Sequence, residues 1–454
     1  MGERLVQYNL SFAEELPSPS AAPQNGVFSD TAFTKNRTEP LHRWVPWIAG
    51  FSAPFVAGVL EAAAAADPTD VTVLDPFAGV GTTLVEAVRR GHNAIGFEIN
   101  PYAALVCRVK LKCFDYDVGL LERAIRDLEV HMAHRSRSRP ASKPPLHFHT
   151  RSPFFSPAVE RKVLRVLDYI AGLQEQWLKD IFRVALGAVM VSFSNYSYEP
   201  SLGRRSSAGK SEIEDADVGG ILAAKLTQML TDIALWQLHV ATLPKRPSAE
   251  LHARSFLTDD RLVPDASVDF LITSPPYLNN YHYIRNTRPQ LYWLGLVERP
   301  ADLKEMERLN FGKFWQTVRA GPTIKLEFEC PELARELKAL RARNPERGVY
   351  GGRGWANYAA AYFNDCFRFC RAARRVMRRG GTVVIVIGNS ILQGIEFKTE
   401  RHLAQIAENC GFQLVGLHRV RTKRTGSSIV NSSVRAGTTK EKVELYECAL
   451  ELKA

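Results

Sequence analysis

Short apolar runs alternate with amphipathic stretches over most of this chain, and the two periodicities name its elements. Residues 71–74 form an apolar run that stops at a polar turn, and 82–88 then carry apolar residues at helical spacing. Residues 93–98 read as a second strand, ending in the acid Glu98. A helix is predicted over 56–66, ahead of the first strand. Further along, 250–256 and 268–273 read as strands, 357–378 as a helix and 382–387 as a buried strand. The chain closes with a helix at 399–410 and strands at 413–420 and 442–450.

Between 115 and 250 the strand signals vanish. Helical patterns occupy 119–133, 156–176, 177–194 and 217–242. Strands alternating with helices imply an α/β fold with a mostly parallel sheet, here interrupted by a helical insertion. The division expected is a flexible arm at 1–38, one part of the α/β domain at 39–114, the insertion at 115–249, and the rest of the α/β domain at 250–454.

Two turns carry chemistry. The first is Asp75-Pro76-Phe77-Ala78-Gly79-Val80-Gly81-Thr82-Thr83, between a strand and a helix. Its glycines allow a tight turn and close approach of a ligand to the backbone, and the helix start offers unpaired amides. Glu98 follows Gly79 by about the 20 residues at which an acid on a second strand reaches a ribose, with Ile99 and Asn100 beside it. The second turn, Ser274-Pro275-Pro276-Tyr277, ends the strand at 268–273. Two prolines fix φ and remove two backbone donors. The turn is therefore rigid, its carbonyls and the Ser274 hydroxyl can accept from an amino group, and Tyr277 offers a flat face to a base.

Together these motifs resemble those of the DNA amino-methyltransferases, over about 41–113 and 250–450. The resemblance implies a Rossmann-like S-adenosylmethionine-dependent methyltransferase fold with a terminal antiparallel hairpin. It implies S-adenosylmethionine on Asp75, Pro76, Phe77, Ala78, Gly79, Gly81, Thr82, Thr83, Glu98, Ile99 and Asn100. It also places Phe51 and Ser52 over the methionine end, and Ser274, Pro275, Pro276 and Tyr277 at a flipped base. Ser at the first motif position usually accompanies cytosine N4 methylation in this family. The expected activity is therefore N4-methylcytosine formation in double-stranded DNA, in restriction-modification or phage defence, with cognate restriction or defence proteins as partners. An adenine N6 enzyme and an RNA base methyltransferase are the alternatives. The strand at 250–256 lacks the acid often found near the cofactor adenine, which leaves that contact to a backbone amide or Ser255.

Charge adds a partner. The 454 residues carry a net charge of +11, which favours a polyanion. Arg135, Arg137 and Arg139 in a basic linker, and Arg204, Arg205 and Lys210 in a loop, are the expected phosphate contacts. Asn279 and Asn280 are expected to line the base pocket. Residues 297–353 are expected to form a rim over the DNA, and Arg421, Lys423 and Arg424 a basic loop. The arginines at 374–379 suit a basic last helical turn and are not assigned to DNA. Seven cysteines without a Cys-x-x-Cys pair point to a reducing, cytoplasmic setting and no metal site. Cys366 and Cys370 are expected in the core. No apolar run reaches the ~18 residues of a membrane span, and the first residues lack an apolar signal segment.

Overall fold

The structure, a computed structural model, describes residues 28, 31–47, 50–64, 71–134, 139–198, 202–278, 283–423 and 444–454. The described residues fall into two compact units. One holds those within Asp115–Ala234 and Arg285–Arg299; the other holds those up to Phe114 and within Leu235–Ile284 and Pro300–Ala454.

The larger unit is built on one seven-stranded sheet. Its strands are β1 (Thr72–Asp75), β2 (Asn93–Phe97), β3 (Ala249–His252), β4 (Val268–Thr273), β5 (Met377–Gly388), β6 (Gln413–Lys423) and β7 (Leu445–Lys453). They lie in the order β6-β7-β5-β4-β1-β2-β3. The pairs β1–β2, β1–β4, β2–β3 and β4–β5 are parallel. Only β7 runs against its neighbours, β5 and β6. The sheet winds outward in both directions from the β1–β4 pair. That reversal opens a crevice at the strands' C-terminal ends, where open α/β sheets take their ligands. Both chemical turns begin there, one after β1 and one after β4.

Helices α1 (Ala53–Ala64), α2 (Thr82–Arg89), α3 (Pro101–Leu111), α4 (Gly352–Val376) and α5 (Thr399–Asn409) belong to the same unit. The core joins Phe97, Phe256 and Leu271 to Phe363, Phe369 and Phe397, each side chain contributing about 1.5–3 kcal/mol on burial. Cys366 and Cys370 are in it, and all seven cysteines are free thiols. The start of α3 is set by Asn100, whose side chain accepts from the amides of Tyr102 and Ala103, with Pro101 in the first turn.

α2 is buried over Thr82–Val88 and carries a charge inside. Glu86 meets His42 Nε2 at 2.8 Å and Arg90 at 2.5 Å. Burial pushes the Glu86 carboxyl up, but His42 and Arg90 more than offset it and hold it at about 2. The His42–Glu86 hydrogen bond ties the segment before α1 to the helix that follows the glycine turn.

Several boundaries differ from the sequence expectation. α4 ends at Val376, not 378, and β5 starts at Met377 rather than 382. Gly380 takes a φ of 79° inside the strand, and its amide donates to the Ala454 carbonyl at 2.7 Å. The arginines there are held by the protein: Arg374 on the Gly411 carbonyl, Arg375 on Asp260 and Asp265, Arg378 on Asp269. β6 runs on to Lys423, so Arg421 and Lys423 are strand residues rather than loop; Arg424 lies outside the described residues. β3 stops at His252, and Phe256 opens a short helix, Phe256–Asp259, that drives its ring into the core.

The smaller unit is mainly helical. Val118–Ala133 and Pro157–Gly172 start on Asp117 and Ser156, whose side chains accept from Leu120 and Val159 amides. Gln176–Val189 is followed by turns instead of continuing to 194. A short hairpin, Tyr196–Tyr198 with Leu202–Arg204, is anchored on Asn286: the Tyr198 hydroxyl donates to its carbonyl and the Leu202 amide to its Oδ1. Residues 285–299 thus belong with the helices, although sequence order separates them. Helix Val218–Val240, which carries Lys225 and Asp232, has the length and mean hydropathy, 1.3, of a membrane span. Its buried row of Val218, Leu222, Leu226, Met229 and Ile233 is the packing face of a core helix, which accounts for the same hydropathy.

Candidate active site

The site lies wholly within the sheet-based unit and starts at Asp75, the last residue of β1. Its Oδ1 accepts from the Phe77 amide at 3.0 Å and from the Thr273 hydroxyl at 2.6 Å. Thr273 is the last residue of β4, so this one carboxylate clamps the two chemical turns together. Burial raises the Asp75 pKa to about 6 against the pull of its hydrogen bonds to Thr273, Thr83 and Phe77.

The glycine turn follows. Gly79 and Gly81 have φ of 53° and 85°, a backbone that L side chains rarely adopt. A Cβ on Gly81 would stand 2.6 Å from the Cys107 Sγ on α3. Lys110, fully buried, donates from Nζ to the Val80 carbonyl at 3.0 Å and supports the turn. Glu98, just beyond β2, accepts from the Gly79 amide at 2.9 Å and the Asn100 amide at 2.6 Å. Burial raises its pKa to about 7, with the Asn100 and Gly79 amides pulling it down.

A cleft runs from this turn to the second motif. Phe51, Pro76, Phe77, Ala78, Gly79, Thr82, Glu98, Ile99 and Asn100 line it, and Ser274 and Pro276 close it. The residues expected from sequence that lie beneath or beside it are Asp75, Gly81 and Thr83, which shape the turn, and Ser52. Ser52 is fully buried, and its hydroxyl accepts from the Phe55 amide at the start of α1.

Sequence reasoning missed other wall residues. Trp47 sits over Gly79 and stacks with Tyr283, centroids 6.5 Å apart. Phe256 lines the side next to β3, beside Ser255, which the sequence offers as an alternative contact for the adenine. Leu309, Asn310 and Phe311 also line the cleft, and Phe311 packs edge-on to Phe77 and Tyr362. The stretch 297–353, expected as a DNA rim, thus includes part of the cleft wall. No sequence motif marked it.

In the second turn Pro275 is buried and Tyr277 half-buried, next to the cleft-lining Ser274 and Pro276. The Pro276 carbonyl is taken by the Tyr362 hydroxyl at 3.1 Å. Tyr277 lies against Gly388 of β5, where a Cβ would be 3.1 Å from the ring, and its hydroxyl is hydrogen-bonded to both Ser274 and Glu447. Burial and the Glu447 charge raise the Tyr277 pKa.

Of the expected DNA contacts, Arg139 and Arg204 are exposed and Arg205 and Lys210 half-exposed, all on the helical unit. Arg205 also donates to the Ser211 carbonyl at 2.9 Å. Arg135, Arg137, Asn279 and Asn280 lie outside the described residues, as does most of the arm at 1–38.

A sheet with one antiparallel strand between parallel neighbours, a glycine turn after β1 and an acid after β2 define a Rossmann-like methyltransferase. The DNA methylase family matches residues 58–107, which span α1 to α3 with the glycine turn and Glu98. Type II methyltransferase M.BsoBI of Geobacillus stearothermophilus is 22% identical over 87% of this chain and 83% of its own length. Type II methyltransferase M.AvaI of a Nostoc species is 24% identical over 90% and 85%. Type II methyltransferase M.MjaII of Methanocaldococcus jannaschii is 41% identical over 56 residues, 12% of this chain. The chain is thus similar to DNA methyltransferases over most of its length, and to the DNA methylase family over the glycine turn.

Proposed function

We propose that the protein is the S-adenosylmethionine-dependent DNA methyltransferase of a Type II restriction-modification pair, a cytoplasmic enzyme that methylates N4 of cytosine in double-stranded DNA. The observation that carries this is the convergence of Ser274 and Glu98 on one cleft, one from each chemical turn. The similar proteins are named Type II methyltransferases, over most of their length.

The residues present fit S-adenosylmethionine. Glu98 at the tip of β2 can accept from both ribose hydroxyls. Phe256 and Ile99 give apolar walls beside Ser255 for the adenine, and Phe51 and Trp47 cover the glycine turn at the other end. When bound, S-adenosylmethionine supplies an electrophilic methyl: the N–C bond forms as the S–C bond breaks, and the thioether leaves with the electron pair.

The chain's own residues prepare the nitrogen. An exocyclic amino lone pair is conjugated with its ring. Hydrogen bonds from its two hydrogens, one to Ser274 Oγ and one to the Pro275 carbonyl, favour a pyramidal nitrogen with an available lone pair. The rigid diproline turn fixes both acceptors, and positioning of this kind can supply much of the rate. The Tyr277 ring, backed by Gly388, stacks on the flipped base. No covalent intermediate is required. Ser at position 274 supports cytosine over adenine. The helical unit, with Arg139, Arg204, Arg205 and Lys210 on its surface, is the proposed recognition domain, and a cognate nuclease the proposed functional partner.

The test is incubation with labelled S-adenosylmethionine and separate DNA and RNA pools, followed by nucleoside mass spectrometry. N4-methylcytosine in DNA is expected. N6-methyladenine alone would reject the cytosine assignment, and methylated RNA with untouched DNA would reject the substrate.

A further inference from the structure

We infer that Glu447 is the terminal proton acceptor for methyl transfer, reached from Ser274 through the Tyr277 hydroxyl. The inference deepens the proposed function and rests on it.

The groups form one connected line. Ser274 and Tyr277 are hydrogen-bonded, as are Tyr277 and Glu447. The second oxygen of Glu447 accepts from the Thr31 hydroxyl at 2.6 Å. Glu447 is 7% exposed. It stands near the start of β7, paired with Gly388 of β5 on one side and Arg421 of β6 on the other. Gly388 leaves the space that the Tyr277 ring fills. The backbone therefore presents a buried carboxylate, flanked by two hydroxyls, to the phenol of the catalytic turn. In its ionised form the Glu447 carboxylate only accepts, from Thr31 and from Tyr277.

The direction of the donors follows. Tyr277 must donate to the carboxylate, which leaves its oxygen free to accept from Ser274. Ser274 then has its own hydrogen engaged, and its lone pairs face the cleft. An aspartate at position 274 would bring a charge of its own to the amino group. A hydroxyl brings none, and the line to Glu447 supplies one from behind.

The proton balance closes. The amino nitrogen gains a carbon through its lone pair and must lose one hydrogen. That proton passes to Ser274 Oγ as the Ser274 proton moves to Tyr277 Oη and the Tyr277 proton to Glu447. The products are the neutral methylamino base and a protonated Glu447. Return of its proton to solvent resets the line.

Glu447 touches no substrate and is a positioning and relay residue. Other charged groups face it: Arg421 across the strand pair, and His418, two pairs further along β6 and hydrogen-bonded to Glu451. Tyr283, once ionised at alkaline pH, also raises the Tyr277 pKa. A pH profile must therefore be assigned by substitution.

The test uses the full-length protein, unmethylated genomic DNA and S-adenosylmethionine, with Glu447→Gln, Tyr277→Phe and the double variant. Glutamine keeps an acceptor for Tyr277 but takes no proton; phenylalanine keeps the stacking ring. Each single variant should lose about hundredfold in kcat, with KM for DNA and cofactor affinity within about twofold, and the double should be no worse than either. The acid limb of the wild-type kcat profile should vanish in Glu447→Gln. In the cofactor-free protein, alkaline difference absorbance, taken against Tyr277→Phe, should show Tyr277 ionising at lower pH once the Glu447 charge is gone. If Glu447→Gln does not fold, Tyr277→Phe alone carries the test: wild-type kcat in it overturns the relay. Additive losses in the double, an intact acid limb in Glu447→Gln, or an unmoved Tyr277 titration would do the same. A wild-type enzyme that leaves DNA amino groups untouched defeats the functional reading alone, because the absorbance measurement still reads the Tyr277–Glu447 contact.

Discussion

Tyr362 of α4 donates its hydroxyl to the carbonyl of Pro276 at 3.1 Å, from a fully buried position beneath the diproline turn. This bond satisfies one carbonyl of the diproline turn from the protein side. The Pro275 carbonyl and Ser274 are then the acceptors left for a substrate.

Tyr362→Phe should therefore loosen the turn without disturbing the core, since the ring keeps its edge contacts with Phe311 and Phe363. The unpaired buried carbonyl costs about 1–3 kcal/mol. The expected result is a lower melting temperature and a kcat roughly fivefold down, about 1 kcal/mol of barrier, at unchanged cofactor affinity. Thermal melts, steady-state kinetics and calorimetry read the three quantities. A drop in cofactor affinity equal to the drop in kcat would mean that Tyr362 supports the whole cleft rather than the turn.

Glu98 gives the site a pH dependence. Its ordinary value of 4.5 is raised by burial to about 7 in the fold. The folded state thus holds a proton that the unfolded chain releases between about 4.5 and 7. The sign is that the cofactor-free protein loses stability as pH rises through this window and changes no further above it. Ribose hydroxyls donate best to the carboxylate, so affinity for S-adenosylmethionine should rise over the same range. Glu98→Gln should flatten both curves, in melts and in calorimetry. An affinity of the wild type that is flat from pH 5 to pH 8, roughly the span around that window, would remove Glu98 from the ribose.

Gly81 and Cys107 test the glycine turn by packing. Gly81→Ala meets the Cys107 sulfur at 2.6 Å and must also hold a φ of 85°. Overpacking costs typically 1–3 kcal/mol, and the left-handed backbone roughly 1–2 more. Adding Cys107→Gly removes the sulfur and should recover the packing share, leaving the backbone share. Chemical denaturation of the two single variants and the double measures it. No recovery in the double would place the whole cost in the backbone.

The strands and both turns were legible in the sequence because each is local. Buried parallel strands read as apolar runs, and glycine and proline fix backbone geometry wherever they stand. The order of motifs also carried the crevice, since both turns follow strands that pair. What sequence did not carry are contacts closed by the fold. Leu309–Phe311 come to the cleft from a charged stretch with no periodic signal. The bond from the Phe55 amide to the Ser52 hydroxyl, at the start of α1, is likewise set by the fold. Glu447 is one acid among many on a β-strand until β5 places Gly388 beside it and Tyr277 over that gap. Residues 285–299 join the helical unit through Asn286 and Gln290, side chains that no hydropathy pattern distinguishes.

The helical unit should carry the salt-dependent part of DNA binding. Arg139 and Arg204 are exposed, and Arg205 and Lys210 partly so. Arg135 and Arg137 continue the same basic stretch. Arg374, Arg375 and Arg378 are instead hydrogen-bonded within the sheet-based unit. Each phosphate neutralised by a cation releases counterions, so each lost contact should lower the log–log salt slope by about 0.9. Charge-neutralising Arg204, Arg205 and Lys210 together should reduce the slope by about 2–3 while leaving cofactor affinity and melting temperature near wild type. Substitution of Arg135, Arg137 and Arg139 should reduce it further. DNA titrations at several salt concentrations measure the slope, and cofactor calorimetry checks that the other unit is intact. The same slope in the sixfold variant would move recognition off the helical unit, to the 297–353 stretch whose Leu309–Phe311 segment already borders the cleft.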